Sequence, residues 1–175
     1  MIVSDHGMTA TSRERMIYLD DLIDADTANA AEGGILAGID PPIAKRASTE
    51  QALLAPHDHM RCWRKSEVPA RLHYGTNPRI APLLCLADDG WIVTTHAYEA
   101  KRTHLSLGEH GYDNDDPAMR ALLVAHGPSF RHGLVVPELD NVDVYPLVAH
   151  ILGIRPAPND GDYSAVSGLL EPAAR

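Results

Sequence analysis

Short apolar runs separated by polar, glycine-rich and proline-rich stretches set the pattern of this chain. The first run is the briefest: Ile2 and Val3, both β-branched, pass straight into Ser4-Asp5-His6-Gly7-Met8, as a buried central strand does when its carboxyl end presents ligands. After a polar loop over residues 9–15, Met16-Ile17-Tyr18-Leu19 reads as a strand, followed by an acidic, alanine-rich stretch over residues 20–32. Gly33-Gly34 opens a further strand from Ile35 to Ile39, stopped by Pro41-Pro42. Ser48-Thr49-Glu50-Gln51 fits a capping box, so a short helix is expected from Ser48 as N-cap through Leu54. His59 to Arg64 alternates as a strand does, and Ser66 is placed to cap a short helix through Leu72, with Pro69 in its first turn.

The second half begins with the strongest apolar run, Ile80 to Leu86. Asp88-Asp89-Gly90 turns it into Trp91-Ile92-Val93-Thr94-Thr95, which predicts a β-hairpin. A histidine- and glycine-rich loop is expected from His96 to Asn114, then a buried strand over Ala121 to Ala125 leading into Gly127-Pro128. Asp143 is expected to cap the clearest helix, with Val144, Val148, Ile151 and Leu152 on its packed face and Gly153 as its stop. Residues 156–175 are rich in proline and glycine and are expected to wrap the surface. No repeat, linker or low-complexity tract interrupts the chain, which implies one unit of mixed α/β character.

Composition narrows the classes. At 175 residues the chain is long enough for one domain and would bury roughly 70% of its unfolded surface. A formal charge of −9 without a basic patch disfavours nonspecific binding to nucleic acid or anionic membrane. No apolar run approaches the roughly 18 residues of a membrane span, and no basic-then-apolar start marks a signal peptide. Cys62 and Cys85 lack C-x-x-C spacing and each sits in a strand-like run, so buried free thiols are expected. Ten histidines raise the prior for metal chemistry.

Two segments carry candidate ligands. Asp5 and His6 are adjacent, so on a regular strand they would point to opposite faces. They reach one ion only if the strand has ended and Gly7 lets the backbone turn. In Gly108-Glu109-His110-Gly111-Tyr112-Asp113-Asn114 a histidine sits between glycines, as a ligand on a tight loop requires. His57-Asp58-His59 reads as a solvated turn, and the remaining histidines are scattered without ligand spacing. Ser4 and Ser129 lack a nucleophile elbow, and there is no glycine-rich phosphate loop.

Taken together, Ser4-Asp5-His6-Gly7-Met8, Leu72-His73-Tyr74-Gly75, Asn77-Pro78-Arg79-Ile80-Ala81-Pro82, Ala87-Asp88-Asp89-Gly90-Trp91, His110-Gly111-Tyr112-Asp113-Asn114, Ala125-His126-Gly127-Pro128-Ser129-Phe130 and Asn141-Val142-Asp143-Val144-Tyr145-Pro146-Leu147 closely resemble the type I phosphodiesterase/nucleotide pyrophosphatase family of the alkaline phosphatase superfamily. The resemblance implies an α/β fold with a central, mostly parallel sheet flanked by helices. This chain would be the C-terminal part of that one catalytic domain, over residues 1–175, with the N-terminal half absent. It also implies two Zn²⁺ ions, one bound by Asp5 and His6 and the other by His110, and a nucleotide or other phosphodiester as substrate.

The family's nucleophilic threonine, which forms a covalent threonyl-phosphate, and its remaining ligands would lie before Met1. A catalytic zinc wants three protein ligands, so the isolated chain is expected to bind metal weakly and to be inactive. Two other readings stay open: a noncatalytic module on the same scaffold, self-associating through exposed sheet edges, and a phosphomonoester or phosphonate hydrolase of the same superfamily. The family is typically exported, which leaves localisation undecided for a chain without a signal.

Overall fold

Among the 172 residues described in the computed structural model, residues 1–172, the apolar runs form nine short strands and five helices. In chain order these are β1 (Ile2–Val3), β2 (Thr9–Ala10), β3 (Met16–Tyr18), α1 (Ala25–Asn29), β4 (Leu36–Ile39), α2 (Arg46–Leu53), β5 (Met60–Arg64), β6 (Leu83–Ala87), β7 (Ile92–Thr94), α3 (His96–Glu99), β8 (Gly108–Glu109), β9 (Leu123–Val124), α4 (Val144–Ile151) and α5 (Tyr163–Val166). The last three residues of the 156–175 tail lie outside the described residues. The elements divide between a large unit, Gly7–Arg120, and a small unit built from Met1–His6 and the chain from Ala121 onward. No helix among the described residues is long and apolar enough to cross a membrane.

The centre of the large unit is β6. All five of its residues are buried, and it pairs antiparallel with β4 on one edge and β5 on the other. With both edges taken, β6 has no ladder left for the strand that follows it. The Asp88-Asp89-Gly90 turn therefore does not close the expected hairpin: β7 pairs in parallel with β3, with Met16 opposite Ile92 and Tyr18 opposite Thr94. This is the parallel pair of a mixed α/β fold whose remaining described ladders are antiparallel. Leu19, Ile39, Leu53, Leu83 and Val93 fill the core around these strands.

The cysteines are not free thiols. Cys62 of β5 and Cys85 of β6 stand directly opposite in register, with Cα atoms 4.0 Å apart, and form a disulfide. Their spacing of 23 residues carries no local signal; only strand pairing brings them together.

Several helix boundaries also move. Helix α2 starts at Arg46 because a 3₁₀ turn over Ile43–Lys45 leads into it from Pro42; Ser48 lies inside, its hydroxyl donating to the Lys45 carbonyl at 2.9 Å. The helix expected after Ser66 is two 3₁₀ turns, Lys65–Glu67 and Ala70–Leu72, interrupted at Val68–Pro69. The loop after Thr95 contains α3, capped by the Thr95 hydroxyl, which accepts from the Tyr98 amide at 3.2 Å.

In the small unit β1 pairs antiparallel with β9, and both are largely exposed rather than buried. Ile2 is 67% exposed, so its β-branched side chain does not mark a central strand in this chain. The small core is Phe130, Leu147 and Val166. Helix α4 does end at Gly153, with φ +65°; of the expected face Ile151 packs against the small core, Val144 and Val148 are partly buried and Leu152 is exposed, while Pro146, Leu147 and Ala149 are its buried residues. Asp143 makes no cap bond to α4; its carboxylate accepts instead from the Asp162 amide at 2.7 Å, tying α4 to the start of α5.

Reduction of the disulfide, or its replacement by Cys62→Ala with Cys85→Ala, should lower the urea unfolding free energy by about 3 kcal/mol, the chain-entropy value for a loop of this size. An unfolding curve unchanged by reductant would show that the bond does not constrain the chain.

Candidate functional site

Strand β1 ends at Val3, so Asp5 and His6 lie beyond it and the strand rule that separates adjacent side chains no longer applies. Ser4 closes the ladder: its amide donates to the Leu122 carbonyl at 2.9 Å, and its hydroxyl oxygen accepts from the Leu122 amide at 2.7 Å. Past that point the Asn141 carboxamide donates to the Asp5 carbonyl at 2.7 Å. The result is convergence of the two donor atoms, with Asp5 Oδ1 and His6 Nε2 3.5 Å apart. Two ligands of a tetrahedral ion at about 2.0–2.2 Å stand about 3.3–3.6 Å from each other. The pair therefore fits a shared ion in spacing and in donor type, an exposed carboxylate and a partly buried imidazole.

Gly7 serves this segment differently from the expectation. Its φ is not positive, so it supplies no left-handed turn. Close approach is what requires glycine: a Cβ there would sit 1.9 Å from the Ala118 carbonyl oxygen and 2.9 Å from that of Arg120.

His110 follows β8 in the large unit and is exposed. The three residues after Gly111 hold it there. Gly111 adopts φ +94°, a left-handed turn that an L side chain rarely tolerates. Tyr112 is buried, and its hydroxyl donates to the Trp91 carbonyl at 3.2 Å. Burial pushes that phenol up to about 12, so it stays a neutral donor through the physiological range.

Asp113 takes both ends of the Arg71 guanidinium, at 2.6 and 2.5 Å, while the same guanidinium also donates to Asp115 at 2.9 Å. The hydrogen bond from Arg71 holds the Asp113 carboxyl down at about 2. The Arg71 guanidinium is correspondingly raised, chiefly by its bond to Asp113. The Asn114 carboxamide closes the loop by donating to the Arg71 carbonyl at 3.3 Å.

Four of the other histidines make local contacts. His57 lies 3.1 and 3.2 Å from the carbonyls of Ala52 and Leu53 at the end of α2, in the turn expected there. His59 stacks on Trp91, His96 on Tyr18 and His150 on Tyr163. Among the described residues no group of three or more His, Cys, Asp or Glu side chains could hold a metal ion. Asp5 and His6 are thus brought together, and His110 lies on the loop after β8 in the other unit. Arg71, Ser4 and Asn141, which hold these segments, were not singled out from sequence for that role; Ser4 and Asn141 lie inside family blocks, and nothing local marks Arg71.

A family profile described as type I phosphodiesterase / nucleotide pyrophosphatase matches residues 1–113. The bis(5′-adenosyl)-triphosphatase ENPP4 of Bos taurus is 38% identical over 170 residues, covering 97% of this chain and 36% of that protein. The solved human ectonucleotide pyrophosphatase/phosphodiesterase 5 superposes with a TM-score of 0.87 at 36% identity, over 98% of this chain and 45% of that one. An inactive threonine-to-alanine variant of the murine protein, solved in complex with AMP, superposes with a TM-score of 0.86 at 33% identity, over 97% of this chain and 44% of that one. The chain thus spans about a third of the length of the curated relative it matches.

The Arg71–Asp113 clamp has a testable acid limit. Because the folded carboxyl titrates near 2 against an ordinary 3.8, its contribution is complete above 3.8 and is lost as pH falls towards 2. Carbon-detected titration should place Asp113 near 2, and Arg71→Leu should return it to the ordinary range while loosening amide exchange in residues 110–114. An Asp113 that titrates normally with Arg71 present would refute the clamp.

Proposed function

Because the chain belongs to the type I phosphodiesterase/nucleotide pyrophosphatase family, we propose that it supplies Asp5, His6 and His110 as metal ligands to a zinc-dependent hydrolase of phosphodiester or pyrophosphate bonds in nucleotides. The observation that carries this reading is the convergence of Asp5 Oδ1 and His6 Nε2 at 3.5 Å just beyond a strand end. Asp5 and His6 serve one Zn²⁺ and His110 serves the other. Bound zinc would polarise the phosphoryl group and stabilise charge on the attacking and leaving oxygens of an in-line displacement.

The residues of this chain have narrower tasks. Asp5 contributes the negative charge that favours a divalent cation, and His6 must bind as the neutral imidazole, so metal uptake releases any proton it carries. Residues 111–114 keep the His110 ring in solvent with little freedom left in its backbone. The nucleophile, a threonine, and the other ligands come from residues outside these 175. Support comes from the length of the bovine relative, of which this chain covers 36%, and from the loss of activity in the murine threonine-to-alanine variant. The AMP held by that variant supports a nucleotide as substrate. The Cys62–Cys85 disulfide supports placement in an oxidising compartment.

One observation favours a second reading, a noncatalytic interaction module: Val135 is 94% exposed, and Ile2, Leu122 and Val124 are also exposed in the same unit. Activity separates the two. The purified 175-residue chain with added zinc should not hydrolyse a chromogenic nucleotide ester. A chimera in which it replaces the matching part of the bovine relative should do so, in a zinc-dependent manner. His6→Ala or His110→Ala in the chimera should each lower the rate roughly a hundredfold or more, the loss of a few kcal/mol of transition-state stabilisation. A chimera indifferent to both substitutions would leave the module reading standing, and robust turnover by the chain alone would show that its nucleophile is internal.

A further inference from the structure

We propose that Asn141 is a positioning residue for the Asp5–His6 pair, an inference that rests on reading that pair as metal ligands. The carbonyl it holds, at 2.7 Å from its carboxamide nitrogen, is that of Asp5. This carbonyl belongs to the peptide unit joining the two ligands, so a hydrogen bond to it orients the one plane whose rotation decides whether both side chains face the same ion. In an extended strand that plane sends them to opposite faces; here their donor atoms meet at 3.5 Å. The Ser4–Leu122 hydrogen bonds fix the residue before the pair, and Asn141 fixes the link within it.

The donor stands on a firm base. Asn141 opens the 3₁₀ turn Asn141–Asp143, which runs directly into α4. Helix α4 is anchored by Leu147, fully buried against Phe130 and Val166, and the buried Asp143 carboxylate accepts from the Asp162 amide at 2.7 Å. A rigid element thus presents one amide donor to the backbone between two candidate ligands, 136 residues away in sequence. Outer-shell partners of this kind set ligand orientation, and their loss typically weakens metal binding roughly 10–100-fold.

The test follows the His6 ring nitrogens by NMR during titration of the chimera described above, in which the remaining ligands are present, with Zn²⁺. In the unsubstituted chimera the ring should respond, and Asp5→Ala should weaken that response. Asn141→Leu, close in size but without a donor, should raise the zinc Kd at His6 roughly tenfold or more with the urea midpoint unchanged, and Asn141→Gln should recover most of the affinity. Wild-type zinc affinity in Asn141→Leu, alongside a loss in Asp5→Ala, would overturn the positioning role and leave the ligand reading intact. A His6 ring that ignores zinc, or binding unaffected by Asp5→Ala, would remove the ligand reading and this inference with it. Should Asn141→Leu fail to fold, Asn141→Asp, which exchanges the donor for an acceptor, is compared with Asn141→Gln; equal affinities in those two would overturn the proposal.

Discussion

The large unit depends on the double pairing of β6. A strand buried at all five residues must satisfy its amides and carbonyls within the sheet, and β4 and β5 do so from either edge. That occupancy sends β7 away to β3, although an Asp-Asp-Gly turn immediately precedes it. Arg15 steadies the departure by donating to the Gly90 carbonyl at 3.0 Å. The path then leaves the Trp91 carbonyl facing the Tyr112 hydroxyl, which anchors the loop that carries His110. An exposed candidate ligand is therefore placed by the pairing of a strand more than twenty residues earlier.

Periodicity and punctuation located β3 to β7 closely, because apolar runs bounded by glycine and proline are local features. Gly111 and Gly153 were legible for the same reason: a left-handed residue leaves a mark in the sequence where it stands. What stayed hidden depends on two distant segments at once. The disulfide needs β5 and β6 in register, and the failed hairpin needs β4 already on the free edge of β6. The packed stripe of α4 is chosen by Phe130 and Val166 rather than by helical spacing alone. Gly7 looked like a turn residue, but its necessity comes from a carbonyl 111 residues on, since Ala118 less Gly7 leaves that gap. The candidate site divides similarly. Asp5, His6 and His110 were visible as residue types in suggestive settings, whereas Ser4, Arg71 and Asn141 matter only through partners 118, 42 and 136 residues away.

The small unit raises a different question of energetics. Its core of Phe130, Leu147 and Val166 is modest, while β1 and β9 set Ile2 against Val124 and Val3 against Leu123 on an exposed ribbon. Single exposed apolar side chains are ordinary on protein surfaces, but the cross-strand pair Ile2–Val124, both exposed, marks a face suited to being covered. The candidate ligand pair sits at the end of that ribbon, so whatever covers that face would also lower the dielectric around Asp5 and His6. Burial there would strengthen electrostatic contacts and penalise an unpaired carboxylate. Cover would raise the cost of leaving Asp5 uncompensated, and a cation bound there would remove it.

Both ligand segments are held in one manner, by polar side chains donating to backbone carbonyls. Tyr112 holds the Trp91 carbonyl, Asn114 that of Arg71, and Asn141 that of Asp5. The demand on a ligand explains this choice. A histidine or carboxylate packed among apolar groups without an ion is penalised by desolvation, so in the ion's absence the side chain itself is a poor anchor. Its backbone must be fixed instead, and an exposed backbone is fixed most economically by a hydrogen bond from a side chain that is itself rooted elsewhere. Tyr112 is rooted by burial, Asn114 by the neighbouring Arg71–Asp113 pair, and Asn141 by the buried start of α4. Each such bond contributes only about 0.5–1.5 kcal/mol to stability, too little to hold a fold. It is enough to select one backbone orientation among several, and for a ligand orientation is the property that counts.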